Sequence, residues 1–257
     1  MLNIQSIDNW ITVPKPNPKA NLRLFCFPYA GGSSIIFRSW LDKLPNHIEV
    51  CPIELPGRGS KIRLNPLNRL EPIVEVLASQ IQPYLDKPFA FFGHSMGGLV
   101  SFELTRLLYK KYGINPVHLF ISARRAPQIP DLEPKIHNLP ETDFITELRR
   151  YNGTPNAILE NQELMQLFLP ILRADFAVLE TYIYAPTPPL KCPISVFGGL
   201  QDHKVTIEEL EGWGEQTSNY FSINMLPGNH FFIHENLSLL LECLCEQLQH
   251  SLVHTRF

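Results

Sequence analysis

Residues 89–98 read Phe-Ala-Phe-Phe-Gly-His-Ser-Met-Gly-Gly. Four successive apolar residues, Phe89 to Phe92, fit a short strand covered on both faces, as in the middle of a parallel sheet. The stretch after Ser95, 96–112 (MGGLVSFELTRLLYKKY), places Val100, Leu104, Leu107 and Leu108 on one helical face and stops at Gly113. Between strand and helix lies Gly93-His94-Ser95-Met96-Gly97, a G-x-S-x-G match. A strand, a sharp turn and a helix in that order form a nucleophile elbow. Such a turn strains the backbone at the serine, so close neighbours must be small, and Gly93 and Gly97 supply that. The turn lifts the Ser95 hydroxyl above the sheet edge. It also aims the Met96 N–H into the site at a helix N-terminus, where negative charge is favoured.

Working outward, further short apolar runs lie at 22–27 (LRLFCF), 48–53 (IEVCPI), 117–122 (VHLFIS) and 192–197 (CPISVF), with a weaker one at 220–226. Helical patterns fall between them at 35–44, 71–85 and 236–249. This alternation predicts one α/β domain over 1–257, a mostly parallel sheet with helices on both faces. From 127 to 188 no good strand is found. Helices are expected instead at 141–151 and 161–183, the second bent by Pro170. An all-helical insertion at this point predicts a lid over the ligand edge of the sheet, although an apolar helical stripe also serves plain core packing.

A serine hydroxyl needs a base, and an elbow serine is followed in the chain by an acid and then a histidine. Among nine His, His230 lies in Pro-Gly-Asn-His-Phe-Phe (227–232), after the last strand and before the last helix, where the base belongs. His94 should point away from Ser95, and His234 falls on the outgoing helical turn. The strand at 192–197 runs into Gly-Gly-Leu-Gln-Asp, so Asp202 is the expected acid. After 117–122 no carboxylate comes before Asp131. Asp175, on an apolar helix, reads as a buried structural residue. The second oxyanion donor should come from the loop after the first strand, Pro28-Tyr29-Ala30-Gly31-Gly32-Ser33-Ser34, where small residues allow close backbone approach. Its expected donor is the Ala30 N–H, paired with that of Met96.

The chain has 257 residues, with 22 Lys+Arg against 25 Asp+Glu, and this balance gives no bulk attraction for nucleic acid or anionic lipid. No apolar run approaches a membrane span, and the N-terminus carries no signal-peptide pattern. Five scattered Cys suit a reducing cytoplasm. Cys243, Cys245, His250 and His254 imitate metal-ligand spacing, but on one helix the two Cys diverge by about 200°, so no metal is expected. Arg58, Lys61, Arg63 and Arg69 form a basic cluster, read as a solvated face and alternatively as a docking patch.

Eight stretches together resemble the type II thioesterases, stand-alone α/β-hydrolases that accompany nonribosomal peptide and polyketide synthases. They are LFCFPYAGGS (24–33), ELPGRG (54–59), PFAFFGHSMGG (88–98), SARRAP (122–127), YNGTP (151–155), LRADF (172–176), FGGLQDHKV (197–205) and PGNHFF (227–232). The resemblance implies hydrolysis of acyl or aminoacyl thioesters on the phosphopantetheine arm of an acyl or peptidyl carrier protein, an editing role, without a cofactor. It puts the triad on Ser95, Asp202 and His230 and the oxyanion donors on Ala30 and Met96. A monomer is the default expectation. The competing readings are a fatty-acyl thioesterase or esterase, and a non-catalytic module that binds carrier protein.

Overall fold

The computed structural model describes residues 9–151, 153 and 156–254. Six parallel strands form one sheet: β1 (Leu22–Phe27), β2 (Ile48–Pro52), β3 (Phe89–His94), β4 (His118–Ser122), β5 (Ile194–Gly199) and β6 (Phe221–Leu226). Their spatial order is β2-β1-β3-β4-β5-β6. The chain leaves β1 for one edge and returns to β3 on its other side. The carboxyl ends of β1 and β3 therefore flank the point where strand order reverses, the crevice that receives ligands in open α/β sheets.

Side chains alternate across the sheet. Phe25, Phe27, Phe89 and Phe91 pack with α2 (Leu70–Gln80) and α3 (Met96–Tyr112). Leu24, Cys26, Ala90 and Phe92 face the other way, against Trp40 of the one-turn α1 (Trp40–Lys43) and the apolar side of α9 (Leu237–His254). Phe89 to Phe92 are all buried because each face of β3 has its own helical layer.

Several elements differ from the sequence reading. The helix expected at 71–85 ends at Gln80 and gives way to a 3₁₀ turn at Gln82–Tyr84, since Pro83 has no N–H to continue it. The segment 35–44 splits into a 3₁₀ turn, Ser34–Phe37, and α1. Strand β5 begins only after Pro193 and runs on through Gly198 and Gly199, which pair with Met225 and Leu226. Those two glycines belong to the sheet rather than to the loop beyond it.

The 127–188 region holds α4 (Glu141–Tyr151), α5 (Asn156–Leu159) and α6 (Gln162–Glu180). They share a small core of Phe144, Leu148, Leu159, Met165, Leu169, Leu172 and Phe176. Asn161 caps α6 by accepting the Leu164 N–H. Of the apolar stripe read along this helix, Leu164 and Leu167 turn outward to solvent. Two short helices complete the chain, α7 (Ile207–Glu211) and α8 (Phe232–Glu235).

Candidate active site

The elbow is built on steric necessity. Ser95 has φ 53° and ψ −112°, a left-handed backbone rare for a side-chain-bearing residue. Its N–H donates to the Ser122 carbonyl of β4 at 2.7 Å, which holds the strained residue in place. A Cβ on Gly93 would lie 2.2 Å from the Gly97 carbonyl oxygen, and one on Gly97 would lie 2.1 Å from that of Phe27. Only glycine lets helix α3 leave the strand this sharply while packing against the end of β1.

The Ser95 hydroxyl is 3.1 Å from His230 Nε2, and His230 Nδ1 is 2.8 Å from Asp202 Oδ2. The three residues come from the ends of β3, β5 and β6, separated by up to 135 positions. The Asp202 side chain is 1% exposed. Its other oxygen accepts the backbone N–H groups of Lys204 at 2.8 Å and Val205 at 3.3 Å. A buried carboxylate fixed by two amides and one imidazole orients the ring toward Ser95.

His94 lies below this line. Its ring is buried, bonds Ser122 Oγ through Nδ1 at 2.8 Å, and has its centroid 5.5 Å from that of His230. Burial first, and the neighbouring His230 next, push its pKa well below the ordinary value, so no second positive charge competes with a protonated His230. His234 is held by the Tyr29 hydroxyl at 2.9 Å instead of by Ser95.

Ala30 lines the same cavity as Ser95, and Met96 opens α3, where the first amides of a helix lack intrahelical acceptors. The loop that carries Ala30 is fixed by the buried pair Arg58 and Asp175. The Arg58 guanidinium grips both Asp175 oxygens, at 2.6 and 2.8 Å. Asp175 Oδ2 also accepts the Gly31 N–H at 2.7 Å, and Arg58 donates to the Gly32 carbonyl at 3.1 Å. Asp175 is thus the buried structural residue expected from its setting. Arg58 is not part of a solvated basic face, being 4% exposed and committed to Asp175. Arg63 and Arg69 of that cluster are exposed. Removing one member of such a pair strands a buried charge and costs about 3–5 kcal/mol.

The cavity at Ser95 measures about 100 Å³. Leu148 of α4 and Leu172, Phe176 and Leu179 from one side of α6 form its apolar wall. A polar cluster closes another part: Glu133 accepts from Lys204 Nζ at 2.9 Å and from the Tyr151 hydroxyl at 2.7 Å, with the ammonium 4.0 Å from the centre of the Tyr151 ring. Arg124 also lines the cavity, and burial lowers its pKa to about 10. Its Nε has no hydrogen-bond partner among the described residues. Sequence reasoning singled out none of Glu133, Tyr151, Arg124 or Lys204. Arg124, Tyr151 and Lys204 do lie in SARRAP, YNGTP and FGGLQDHKV, and Arg124 lies just past the end of β4.

The family model described as a thioesterase domain matches residues 22–252. Gramicidin S biosynthesis protein GrsT of Aneurinibacillus migulanus is 48% identical over 249 residues, covering 97% of each chain. A Brevibacillus parabrevis protein named linear gramicidin dehydrogenase LgrE is 44% identical, covering 98% of this chain and 97% of its own. Among solved structures, the type II thioesterase BorB from the borrelidin biosynthetic cluster superposes with a TM-score of 0.85 at 33% identity, covering 94% of this chain and 98% of its own. The fold is that of the α/β-hydrolases, and this chain belongs to the thioesterase family, whose members hydrolyse thioester bonds.

Proposed function

We propose that this chain is a stand-alone, type II thioesterase that clears acyl or aminoacyl groups from the phosphopantetheine arm of carrier proteins in nonribosomal peptide or polyketide synthesis. The observation that carries the reading is the hydrogen-bonded line from the Ser95 hydroxyl through His230 to the buried Asp202 carboxylate. His230 Nε2 takes the Ser95 proton as Oγ adds to the thioester carbonyl. Asp202 keeps Nδ1 protonated and steadies the imidazolium. The amides of Ala30 and Met96 receive the oxyanion, each such donor being worth about 3–4 kcal/mol in the transition state. The intermediate collapses by breaking the C–S bond. A pantetheine thiol, with a pKa near ~8.5, leaves readily and is reprotonated from His230. Water, activated by His230, then adds to the acyl-serine, and the acid departs as Ser95 regains its proton. No step calls for a cofactor.

The apolar wall of Leu148, Leu172, Phe176 and Leu179 beside Ser95 suits the acyl part of such a substrate. A nicotinamide dehydrogenase, as the name of LgrE would suggest, is disfavoured by the loop after β1. It reads Pro28-Tyr29-Ala30-Gly31-Gly32-Ser33 where dinucleotide binding requires G-x-G-x-x-G. Helices α4 to α6 are read as a lid that shapes the chamber and limits water. The exposed Arg63 and Arg69 are the part of the basic cluster that could meet an acidic carrier surface. Among the described residues no helix is long and apolar enough to cross a membrane, and we read the protein as a cytoplasmic monomer.

The deciding experiment incubates acetyl-, aminoacyl- and octanoyl-loaded carrier proteins with the enzyme and follows intact mass. Loss of the acyl or aminoacyl groups with return of the free thiol form supports the proposal. Failure to unload any carrier-bound acyl group, or turnover confined to oxygen esters, refutes it.

A further inference from the structure

Asp175 and Arg58 make more contacts with the oxyanion loop than an ion pair needs for its own satisfaction. Asp175 lies on α6, inside the helical insertion, and Arg58 lies in the loop after β2. The two meet directly against the turn that follows Ala30. Gly31, at φ +76°, donates its N–H to Asp175, and Arg58 reaches the carbonyl of Gly32. Leu172, one turn before Asp175 on α6, presses on the same place: a Cβ on Gly31 would lie 2.6 Å from its Cδ2. Ile171 extends the contact to the Arg58 loop, 3.5 Å from where a Gly57 Cβ would stand.

Helix α6 therefore does two things with two sides. Leu172, Phe176 and Leu179 wall the cavity at Ser95, while Ile171 and Asp175 lock onto the loops that carry Gly31, Gly32 and Arg58. A displacement of α6 that widened the chamber would, in the same movement, withdraw the acceptor of the Gly31 N–H. The peptide unit next to the Ala30 amide would lose its anchor.

We propose that Asp175 and Arg58 are positioning residues for the oxyanion donor Ala30, and that docking of α6 and assembly of the oxyanion site are one event. The inference rests on the assignment of Ala30 as oxyanion donor in the reading above. It predicts that the insertion does not only cover the acyl group. Transition-state stabilisation is complete only when α6 is seated, so an open enzyme binds acyl groups without hydrolysing them efficiently.

The test uses three variants of the full chain: Asp175→Asn, Arg58→Lys and the double change Arg58→Met with Asp175→Leu. Neutral amide and single-headed ammonium both break the bidentate grip. The apolar double variant removes both buried charges together, a replacement that commonly retains or regains stability. For each variant, Tm, kcat and KM on a p-nitrophenyl acetate surrogate, and KI for a small alkyl boronic acid are measured per folded molecule, counted by near-UV circular dichroism. The boronate forms a tetrahedral adduct on Ser95 whose oxygen occupies the oxyanion site. It therefore reports that site without turnover.

The proposal expects kcat to fall and KI to rise together by 30-fold or more in all three variants, with KM within threefold. In the double variant Tm should approach that of the parent while kcat stays low. Recovery of kcat together with Tm in the double variant would assign the pair a purely structural role and overturn the proposal. Unchanged KI in any folded variant would do the same. Because the surrogate and the boronate need no carrier protein, these results stand apart from the carrier-protein assay. Failure there would remove the proposed substrate and leave the positioning test intact.

Discussion

The tightest point of the elbow offers a quantitative test through one methyl group. A Cβ on Gly97 would meet the Phe27 carbonyl oxygen at 2.1 Å, the Phe27 carbonyl carbon at 2.5 Å and the Pro28 carbonyl oxygen at 2.8 Å. All three are backbone atoms of the chain that leads into the Ala30 loop, so no side chain can swing aside. Ordinary contact begins near 3.4 Å, and Gly97→Ala must therefore move α3 and the end of β1 apart by about 1 Å or more. That separation is the one between Ser95 with its Met96 amide on one side and the Ala30 amide on the other. A misplacement of about 1 Å in a reacting constellation can lower the rate about 100-fold. Overpacking of this kind typically costs about 1–3 kcal/mol in stability. The controls come from the same helix. Gly98→Ala meets only side-chain and carbonyl atoms at 3.3 Å, and Gly113→Ala, at the far end with φ +69°, meets nothing within 4 Å. Gly113→Ala should lose about 1 kcal/mol to backbone strain and keep full activity. The assay is kcat on an acetyl-carrier thioester beside a urea unfolding curve for each variant. Activity in Gly97→Ala equal to that of Gly113→Ala at matched folded fraction would refute the steric account of the elbow.

Two further predictions concern buried polar groups. Asp202→Asn should keep its place between the Lys204 and Val205 amides yet lower kcat by about 10³–10⁴-fold, because an amide cannot hold His230 in the required tautomer. Loss of less than tenfold, measured across pH 6–9, would speak against Asp202 as the orienting acid. His118 is buried between Ser251 Oγ and Ser195 Oγ, each at 2.7 Å, and burial depresses its pKa to about 3 from the ordinary 6.5. The unfolded ring binds a proton below 6.5 while the folded one stays neutral. The stability it confers is thus complete above 6.5 and is lost on acidification toward 3, about 2 kcal/mol being gone at pH 5. His118→Gln should flatten the wild-type difference in unfolding free energy between pH 7.5 and pH 5 by about that amount. Urea curves at the two pH values with the same difference in both proteins would contradict this.

Much of the fold can be read from residues 89–98 outward because short, doubly buried strands announce themselves as unbroken apolar runs. Strand β3 falls on such a run, β1, β2, β4 and β5 on runs interrupted by one or two polar residues, and the half-buried β6 (FSINML) is only weakly marked. The order serine, carboxylate, histidine after successive strand ends likewise narrowed nine histidines to one, and the structure brings those three side chains into hydrogen-bond contact. What could not be read depends on contacts across long stretches of chain. Arg58 stands in a local run rich in Arg and Lys, and local charge density points to solvent. Its burial follows only from Asp175, 117 residues away. Gly198 and Gly199 resemble a turn in sequence, but pairing with Met225 and Leu226 keeps them in β5. Helix α7 did carry a legible signal that went unused: Thr206 and Glu209 form a reciprocal capping box. The polar wall of Glu133, Lys204 and Tyr151 draws on three distant segments, and although Tyr151 and Lys204 lie in YNGTP and FGGLQDHKV, nothing local shows that they meet Glu133.

The central claim is that the Ser95 hydroxyl, activated by His230, attacks the acyl group. The most direct measurement is intact-mass detection of an acyl-enzyme during turnover of an acetyl-carrier protein, with kcat determined for the parent and Ser95→Ala. The account predicts a transient adduct of one acetyl group on the peptide that contains Ser95. It also predicts no adduct, and a fall in kcat of about 10⁴-fold or more, in the alanine variant. Turnover by Ser95→Ala at a rate near the parent's, or an acetyl adduct on any other residue, would contradict it.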